Sequence, residues 1–225
     1  YIVVKNSSIV LGLLASNFYN NPSQKLKLVG ITGTNGKTSI AYFLFSLFRK
    51  LNIKVGLLST IEYKINKTSF PSSHTTPDPI ELNRLLSLMV QEGCEFCFME
   101  VSSHGIYQNR IAGLKFCIAV FSNLTRDHLD YHNSFNDYLN VKKSFFDALS
   151  IKTKSIINGD DQYGQTMVLN TDSKKIFYSI NNPGHYNCKI IENSIAGLTI
   201  DINNVQMSTM LIGEFNAYNL LAVYA

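Results

Sequence analysis

Apolar runs and segments with helical spacing alternate along most of this chain. The run from Leu26 to Ile31 is mostly apolar, as in a buried strand, and the apolar positions from Ile40 to Phe48 recur at helical spacing. Between them lies a polar, glycine-containing segment, residues 32–39. We therefore predict a strand, a glycine loop and a helix in direct succession.

The alternation continues beyond this unit. We predict further strands over residues 54–60, 95–101, 115–121 and 154–158. A helix is predicted to begin at Asp78 as its N-cap, with Pro79 in the first turn and Glu81 completing a capping box, and to end at Gly93. A second amphipathic helix is predicted over residues 134–149. Strands that alternate with helices are typical of a parallel sheet.

The pattern differs in three places. Residues 63–70 alternate loosely around Asn66 and Lys67, which indicates a small hairpin, and residues 187–211 form short β-rich runs separated by Asn and Gly. Residues 216–225 are again helical and stop in mid-pattern. We predict an α/β fold with a doubly wound, mostly parallel sheet and a small antiparallel sheet.

Composition indicates an enzyme domain that acts on small molecules. The chain has 225 residues, a formal net charge of +4 and no long block of Lys or Arg, so we expect no nucleic-acid partner. No apolar run reaches transmembrane length and no signal peptide is visible, so we expect no membrane association. Because nothing in the cysteine content requires an oxidising compartment, we expect a cytoplasmic location, and we also expect a monomer. Because the sequence begins with Tyr1 rather than Met, we interpret it as a piece of a longer protein.

Four cysteines raise the question of redox or zinc chemistry. Cys94 and Cys97 form a C-x-x-C pair, but no second pair lies at zinc-ribbon spacing, and Cys97 falls within a predicted strand. Cys117 and Cys188 stand alone. We interpret all four as reduced cysteines of the interior or of strands.

Residues 30–39 have the character of a phosphate-binding loop. Glycines allow several backbone N–H groups to point at one anion, and the N-terminus of the following helix adds partial positive charge. Lys37 would reach the terminal phosphates, and the Thr38 hydroxyl would bind Mg²⁺. The strict Walker spacing fails, because Ile31 lies where its first glycine belongs. We predict a nucleoside triphosphate site of variant sequence.

Polar clusters follow three of the predicted elements, where an open α/β sheet places its active site. They occupy residues 73–78, 100–105 and 122–132. A single Glu at a strand end is usually a capping or surface residue, but three clusters after one phosphate loop indicate a catalytic site.

These motifs together resemble the Mur ligase family, and most closely its members that add the third residue of the peptidoglycan stem peptide. The matching segments are G-T-N-G-K-T (33–38), T-T-P-D (75–78), E-V-S-S-H-G (100–105), D-H-L-D-Y-H (127–132) and G-E-F-N-A-Y-N (213–219). The resemblance implies that residues 1–25 are the end of an N-terminal, UDP-binding domain and that residues 26–225 are most of the central ATPase domain. It also implies that the third, C-terminal domain of the family is absent from this sequence.

The resemblance implies an ATP- and Mg²⁺-dependent amide ligase that works through an acyl phosphate. Nucleotide contacts would come from the loop and from one residue of the late motif: Gly33, Thr34, Asn35, Gly36, Lys37, Thr38, Ser39 and Asn219. The metal ligands would be Thr38, Glu100, His128 and a lysine carbamylated by CO₂, and the match selects Lys142. Catalytic roles would fall on Lys37, Glu100, His128 and Lys142. Without the resemblance, His128 is as well explained as a structural residue, and Lys142 and Lys143 as two solvated helix lysines.

The implied substrates are a UDP-muramyl dipeptide, ATP and a diamino acid, either meso-diaminopimelate or L-lysine. The residues that match the family's muramyl-peptide contacts are Thr75, Thr76, Ser102, Gln108 and Arg110. Hydroxyl and amide groups suit a sugar-peptide ligand, and an arginine can pair with a carboxylate or phosphate at two points. Asn109 and Ser39 depart from the usual family residues, histidine and threonine, without removing a proposed catalytic group.

Two alternatives stay open. A ligase of the folylpolyglutamate synthase type shares the chemistry but usually has G-K-G-S in its loop, whereas residue 38 here is Thr. A nucleotide-binding module without catalysis would explain the loop, but not Glu100, His128 and Lys142 in their family positions.

Overall fold

Helices and strands alternate along the chain, as the hydrophobic pattern predicts. The computed structural model describes residues 3–127 and 131–225. In chain order the elements are α1 (Ser7–Phe18), a 3₁₀ turn (Pro22–Gln24), β1 (Lys27–Thr32), α2 (Lys37–Lys50), β2 (Val55–Leu58), β3 (Glu62–Ile65), β4 (Thr68–Pro71), α3 (Pro79–Gln91), β5 (Phe96–Glu100), α4 (Ser103–Tyr107), β6 (Ile118–Phe121), α5 (Phe135–Asp147), β7 (Lys154–Asn158), α6 (Gly164–Met167), β8 (Lys174–Ser179), β9 (Tyr186–Ser194), β10 (Gly197–Ile202), β11 (Val205–Thr209) and α7 (Glu214–Tyr224).

The described strands form one sheet in the order β11-β10-β9-β8-β7-β6-β1-β5-β2-β3-β4. Strands β2, β5, β1, β6, β7 and β8 run parallel to one another, so their carboxyl ends lie along one edge. Strand β1 is central: Ile31 lies beside Glu100 of β5, and Thr32 lies beside Phe121 of β6. The glycine loop that follows β1 is therefore flanked by the residues that follow β5 and β6.

Helices cover both faces of this sheet, which is the arrangement a doubly wound fold requires. On one face α3 and α5 contribute buried side chains such as Leu86 and Phe146, and on the other α2 and α7 contribute Ile40 and Leu221. The strands between them are buried on both faces, which explains their nearly continuous apolar sequences.

The antiparallel strands lie at the two ends of the same sheet. Strands β3 and β4 form the predicted hairpin beyond β2, and β9, β10 and β11 pair antiparallel beyond β8. Strand β9 joins the parallel part through two register pairs, Tyr178 with Tyr186 and Ser179 with Asn187. The predicted antiparallel region is confirmed, but it continues the main sheet rather than forming a separate one.

Two elements have weak sequence signals. Helix α1 carries apolar residues around much of its circumference, and Leu14 and Phe18 are exposed, so no single apolar face marks it. Strand β8 has only three apolar residues between lysines and a serine. The predicted strand over 115–121 is shorter in the structure, since β6 begins at Ile118.

Helix α3 begins as predicted, but with a different role for Glu81. The Asp78 carboxylate accepts hydrogen bonds from the backbone N–H groups of Ile80 and Glu81, and the helix ends just before Gly93. Both Glu81 oxygens instead accept from Arg84 at 2.7 Å, because that guanidinium lies one turn along the same face. The capping box is therefore half formed.

The cysteines are all free thiols. Cys94, Cys97 and Cys188 are buried, and burial raises the pKa of Cys94 to about 11 and that of Cys97 well above the ordinary thiol value. Thiols of this kind are poor nucleophiles and poor metal ligands. Within the described ranges, no helix is long and apolar enough to cross a membrane.

The cap of α3 gives a stability prediction. Replacing Asp78 by Ala removes an acceptor for two N–H groups and should lower the free energy of unfolding by about 1 kcal/mol, measured by urea denaturation. The variant Asp78→Asn keeps a side-chain acceptor and should lie within a few tenths of a kcal/mol of the parent protein. Equal losses in the two variants would contradict the capping role.

Candidate active site

The loop between β1 and α2 requires glycine at two positions. Gly33 has φ +149° and Gly36 has φ +86°, both in the region that side chains rarely adopt. A Cβ at residue 33 would also overlap the Ser122 hydroxyl, and one at residue 36 would overlap the Asn219 amide. The loop therefore packs directly against the segment after β6 and against α7.

Some backbone N–H groups of this loop are hydrogen-bonded to the segment after β6, whereas those at the start of α2 are not capped by a side chain among the described residues. The N–H groups of Thr34 and Asn35 donate to the backbone oxygen and side-chain oxygen of Asn123, at 2.8 and 2.9 Å. Helix α2 has no side-chain cap among the described residues, so its first-turn N–H groups face the loop. An uncapped helix start with its partial positive charge is suited to an anion such as a phosphate.

Lys37 lies across this loop. Its Nζ donates to the carbonyl oxygens of Gly33 and Thr34 at 2.9 and 2.7 Å. Burial lowers the pKa of Lys37, against the opposing effect of the Glu100 and Asp127 carboxylates. The amine is therefore held at the loop, next to the α2 N-terminus.

Glu100, the last residue of β5, carries a fully buried carboxylate. Its Oε1 accepts from the Thr38 hydroxyl at 2.9 Å and from the Thr60 N–H at 2.8 Å, and its Oε2 accepts from the Thr60 hydroxyl at 3.2 Å. No cationic side chain in residues 3–127 or 131–225 forms an ion pair with it. Buried carboxylates are normally paired or bound to a metal, and oxygen donors of this kind fit Mg²⁺.

Lys142 is buried, with 1% of its surface exposed. Its Nζ donates to the Gly33 carbonyl at 2.9 Å and lies 4.7 Å from the centre of the Tyr138 ring. Burial, and then the positive charge of Lys37, lower the pKa of Lys142 well below that of an ordinary lysine. Lys143 instead pairs with Asp147 at 2.6 Å on the helix surface. The interpretation of both residues as solvated lysines is therefore wrong for Lys142.

Two clefts lie on either side of the loop. The first has a volume of about 440 Å³ and contains the acidic and basic groups. The predicted site residues that line it are Lys37, Thr38, Thr75, Glu100, Ser102, Arg110 and Lys142. We call it the reaction cleft.

The second cleft has a volume of about 650 Å³, and we call it the nucleotide cleft. The predicted site residues that line it are Asn35, Gly36, Ser39 and Asn219. Asp160 and Tyr218 also line it, and the Tyr218 hydroxyl donates to Asp160 at 2.9 Å. Asp160 further accepts from the N–H groups of Ile180 and Asn181, which ties α7 to the turn after β8.

Several predicted residues serve the surrounding framework. The Thr76 side chain is fully buried; its hydroxyl donates to the Glu100 backbone oxygen at 2.9 Å and accepts from the Ser102 N–H at 3.0 Å. Gln108 is exposed and bridges Tyr131 and Arg110. These contacts hold the cleft wall together.

The other predicted residues are placed as follows. Thr34 directs its hydroxyl to the Tyr138 hydroxyl at 3.2 Å, and Gly33 contributes its carbonyl oxygen to both lysines. Ser102 caps α4 by accepting from the Gly105 N–H. The predicted metal ligand His128 lies outside the described residues.

Sequence reasoning missed three residues that shape the clefts, namely Thr60, Tyr138 and Asp160, and it included Asn123 in the cluster over 122–132 without giving it a role. Thr60 and Asn123 follow the carboxyl ends of strands, and this position was a usable signal. No sequence signal marks Tyr138, since its spacing on α5 is that of an ordinary core residue.

Comparison with known proteins gives one family. The model of the Mur ligase middle domain matches residues 31–225. The chain is 53% identical over 224 residues to a protein of Cytophaga hutchinsonii, covering 100% of this chain and 46% of that protein. It is 50% identical over 224 residues to a protein of Phocaeicola vulgatus, with the same coverage. Both relatives are named UDP-N-acetylmuramoyl-L-alanyl-D-glutamate–2,6-diaminopimelate ligase, and the chain spans slightly less than half of their length.

Solved structures agree on the fold. A structure with the same ligase name superposes with a TM-score of 0.81 at 29% identity, over 96% of this chain and 46% of that one. A folylpolyglutamate synthase from Mycobacterium tuberculosis gives a TM-score of 0.76 at 14% identity, over 96% of this chain and 57% of that one. The second likeness is one of fold alone.

The buried amine of Lys142 gives a pH-dependence prediction. An unfolded lysine has a pKa of about 10.4, so between the depressed folded pKa and that value the unfolded chain binds more protons than the folded protein. Stability should therefore rise with pH, by up to about 1.4 kcal/mol per pH unit for one proton. The variant Lys142→Met has no amine to bury, so its stability should not show this rise. It should be more stable than the parent at lower pH, and this difference should shrink as the pH increases.

Urea denaturation in CO₂-free buffer from pH 7 to pH 10 measures this difference. Lys143→Met is the matched control, because it removes a partly buried lysine that pairs with Asp147 from the next position on α5. Parallel pH profiles for the parent and Lys142→Met would show that the Lys142 amine is charged in the folded protein.

Proposed function

Because the chain belongs to the Mur ligase middle-domain family, we propose that it is the central part of an ATP-dependent ligase that joins 2,6-diaminopimelate to UDP-N-acetylmuramoyl-L-alanyl-D-glutamate. The observation that carries this proposal is the reaction cleft, where Lys37 of the phosphate loop, the buried Glu100 carboxylate and the buried Lys142 amine face one space. The names of the relatives support the choice of diaminopimelate over lysine.

ATP would lie across the start of α2. Its phosphates would accept from the first-turn N–H groups and from Lys37, which would exchange the Gly33 and Thr34 carbonyls for phosphate oxygens. The base would lie toward Asn219 in the nucleotide cleft. This orientation directs the terminal phosphate into the reaction cleft.

Thr38 and Glu100 would hold Mg²⁺, and His128 with a carbamylated Lys142 would hold a second ion. The fit rests on a buried carboxylate whose hydrogen-bond donors in the described part of the chain are all uncharged. When bound, Mg²⁺ would neutralise phosphate charge and reduce the repulsion of an approaching carboxylate.

Carbamylation of Lys142 requires a neutral amine, and burial favours that state. The neutral amine nitrogen forms a bond to the carbon of CO₂, one C=O electron pair moves to oxygen, and the nitrogen loses a proton, so that a neutral group becomes an anion with two oxygens. The carbamate nitrogen would keep one N–H that can still donate to the Gly33 carbonyl, and the two new oxygens would need donors or a metal.

The muramyl dipeptide would bind along Thr75, Ser102 and Arg110. The Arg110 guanidinium donates to the Thr76 and Gln108 oxygens and has no carboxylate partner among the described residues, so it suits an anionic substrate group. The terminal carboxylate of the dipeptide would attack the γ-phosphorus of ATP and displace ADP. The amine of the diamino acid would then displace phosphate and form the amide.

We further propose that residues 1–25 belong to a preceding, UDP-binding domain and residues 26–225 to the central domain. The start of the family match at residue 31 supports this division. Free, buried thiols and ATP as a substrate fit a cytoplasmic reaction, and we expect a monomer.

The ligation itself is the first test. The intact protein that contains this chain should release phosphate and form a product of the expected mass when given ATP, Mg²⁺, the muramyl dipeptide and 2,6-diaminopimelate. Lys37→Ala should abolish nucleotide binding and turnover with an unchanged circular dichroism spectrum, because this side chain contacts the loop and not the core. Ligation of lysine in preference to diaminopimelate would refute the proposed substrate, and normal turnover by Lys37→Ala would refute the phosphate site.

Lys142 gives a second test. Lys142→Ala should lose most activity, and Lys142→Arg should not restore it, because a guanidinium keeps the wrong charge. Short carboxylic acids added to the Ala variant should recover part of the rate by supplying anionic oxygens. They should have no effect on Lys143→Ala, which should be close to the parent protein, and a fully active Lys142→Arg would exclude the carbamate.

A further inference from the structure

Thr60 lies in the tight turn between β2 and β3, beside the end of β5. Strands β2 and β5 are parallel with Leu58 next to Met99, so the residues after each strand meet. The turn is rigid, because the Ser59 N–H and hydroxyl both donate to the Glu62 carbonyl, at 3.2 and 2.8 Å. Residue 60 is thus fixed against the Glu100 carboxylate by backbone structure.

Thr60 contacts both oxygens of that carboxylate. Its N–H donates to Oε1 at 2.8 Å, and its hydroxyl donates to Oε2 at 3.2 Å. Two donors from one residue fix the plane of the carboxylate, as a bidentate partner does. The direction in which Glu100 presents its remaining lone pairs therefore depends on Thr60.

Thr60 also contacts the opposite wall of the reaction cleft. Its hydroxyl oxygen lies 3.1 Å from that of Thr75. A carboxylate can only accept, and Thr60 has a single hydroxyl proton. The Thr60 hydroxyl is the donor in both contacts, so its one proton is shared between Thr75 and Glu100.

We propose that Thr60 is a positioning residue that orients the Glu100 carboxylate for the metal and connects it, through Thr75, to the side of the cleft where the acid substrate lies. The proposal rests on the metal site of the proposed function and deepens it. A second residue that hydrogen-bonds a metal ligand commonly changes metal affinity by about 10- to 100-fold when it is replaced.

Binding of Mn²⁺ in the presence of ADP, measured on the intact protein by electron paramagnetic resonance, tests this role without turnover. Thr60→Val keeps the shape and the backbone N–H but lacks the hydroxyl, and it should weaken Mn²⁺ binding about tenfold. Thr60→Ser restores the hydroxyl and should bind Mn²⁺ like the parent protein. Thr199→Val is the matched control, since it removes a hydroxyl that lies 3.0 Å from Ser208 on the β10–β11 ribbon.

The link to Thr75 is tested by a double-mutant cycle on the same readout. Thr75→Val removes the competing acceptor, so it should tighten Mn²⁺ binding about threefold when residue 60 is Thr, and have no effect when it is Val, because residue 60 then has no hydroxyl proton to share. If Thr75 acted independently of Thr60, Thr75→Val would change Mn²⁺ binding by the same factor whether residue 60 is Thr or Val.

The outcomes separate this inference from the proposed function. If Glu100→Gln leaves Mn²⁺ binding unchanged, the proposed metal site is wrong. If Glu100→Gln weakens binding but Thr60→Val does not, the metal site stands and the role of Thr60 is overturned. Additive effects of Thr60→Val and Thr75→Val would overturn the connection to the substrate side.

Discussion

The cost of burying charge governs the arrangement around the end of β1. A carboxylate and an amine, Glu100 and Lys142, are both removed from water within one small region. Such groups are tolerated only when hydrogen bonds or ions replace their lost hydration. Thr38 and Thr60 supply donors to the carboxylate, and the Gly33 carbonyl accepts from the amine. The loop, the turn after β2 and helix α5 are held together because each supplies one of the groups in these hydrogen bonds.

The same requirement links distant parts of the chain. Asn123, after β6, occupies the N–H groups of the first half of the loop, which leaves the start of α2 as the place where an anion can bind. Asn219, from the last helix, fills the space that a side chain at residue 36 would need. The nucleotide cleft is thus built from segments almost two hundred residues apart, and the short loop motif is only its centre.

Local patterns predicted much of this molecule, and contacts between distant segments account for what they missed. Strand β1, the glycine loop and α2 are adjacent in sequence, so hydrophobic spacing and loop composition were sufficient to place them. The burial of Lys142 could not be seen in this way, because Lys142 and Lys143 differ only in which side of α5 faces the sheet; the family resemblance selected the lysine that the structure buries. Thr60 was overlooked because its partner lies forty residues away on a neighbouring strand. Thr76 belongs to the T-T-P-D motif, but its hydroxyl donates to the Glu100 backbone oxygen inside the protein. Helix α1 lacked a single apolar face.

Gly33 combines three demands in one residue. Its backbone angle excludes most side chains, its Cα approaches the Ser122 hydroxyl, and its carbonyl accepts from both Lys37 and Lys142. In evolutionary terms we expect this position to tolerate almost no change: any side chain at residue 33 would strain the backbone, overlap Ser122 and displace the carbonyl that both lysines share. A compensating change at Ser122 alone would relieve the overlap but not the backbone strain.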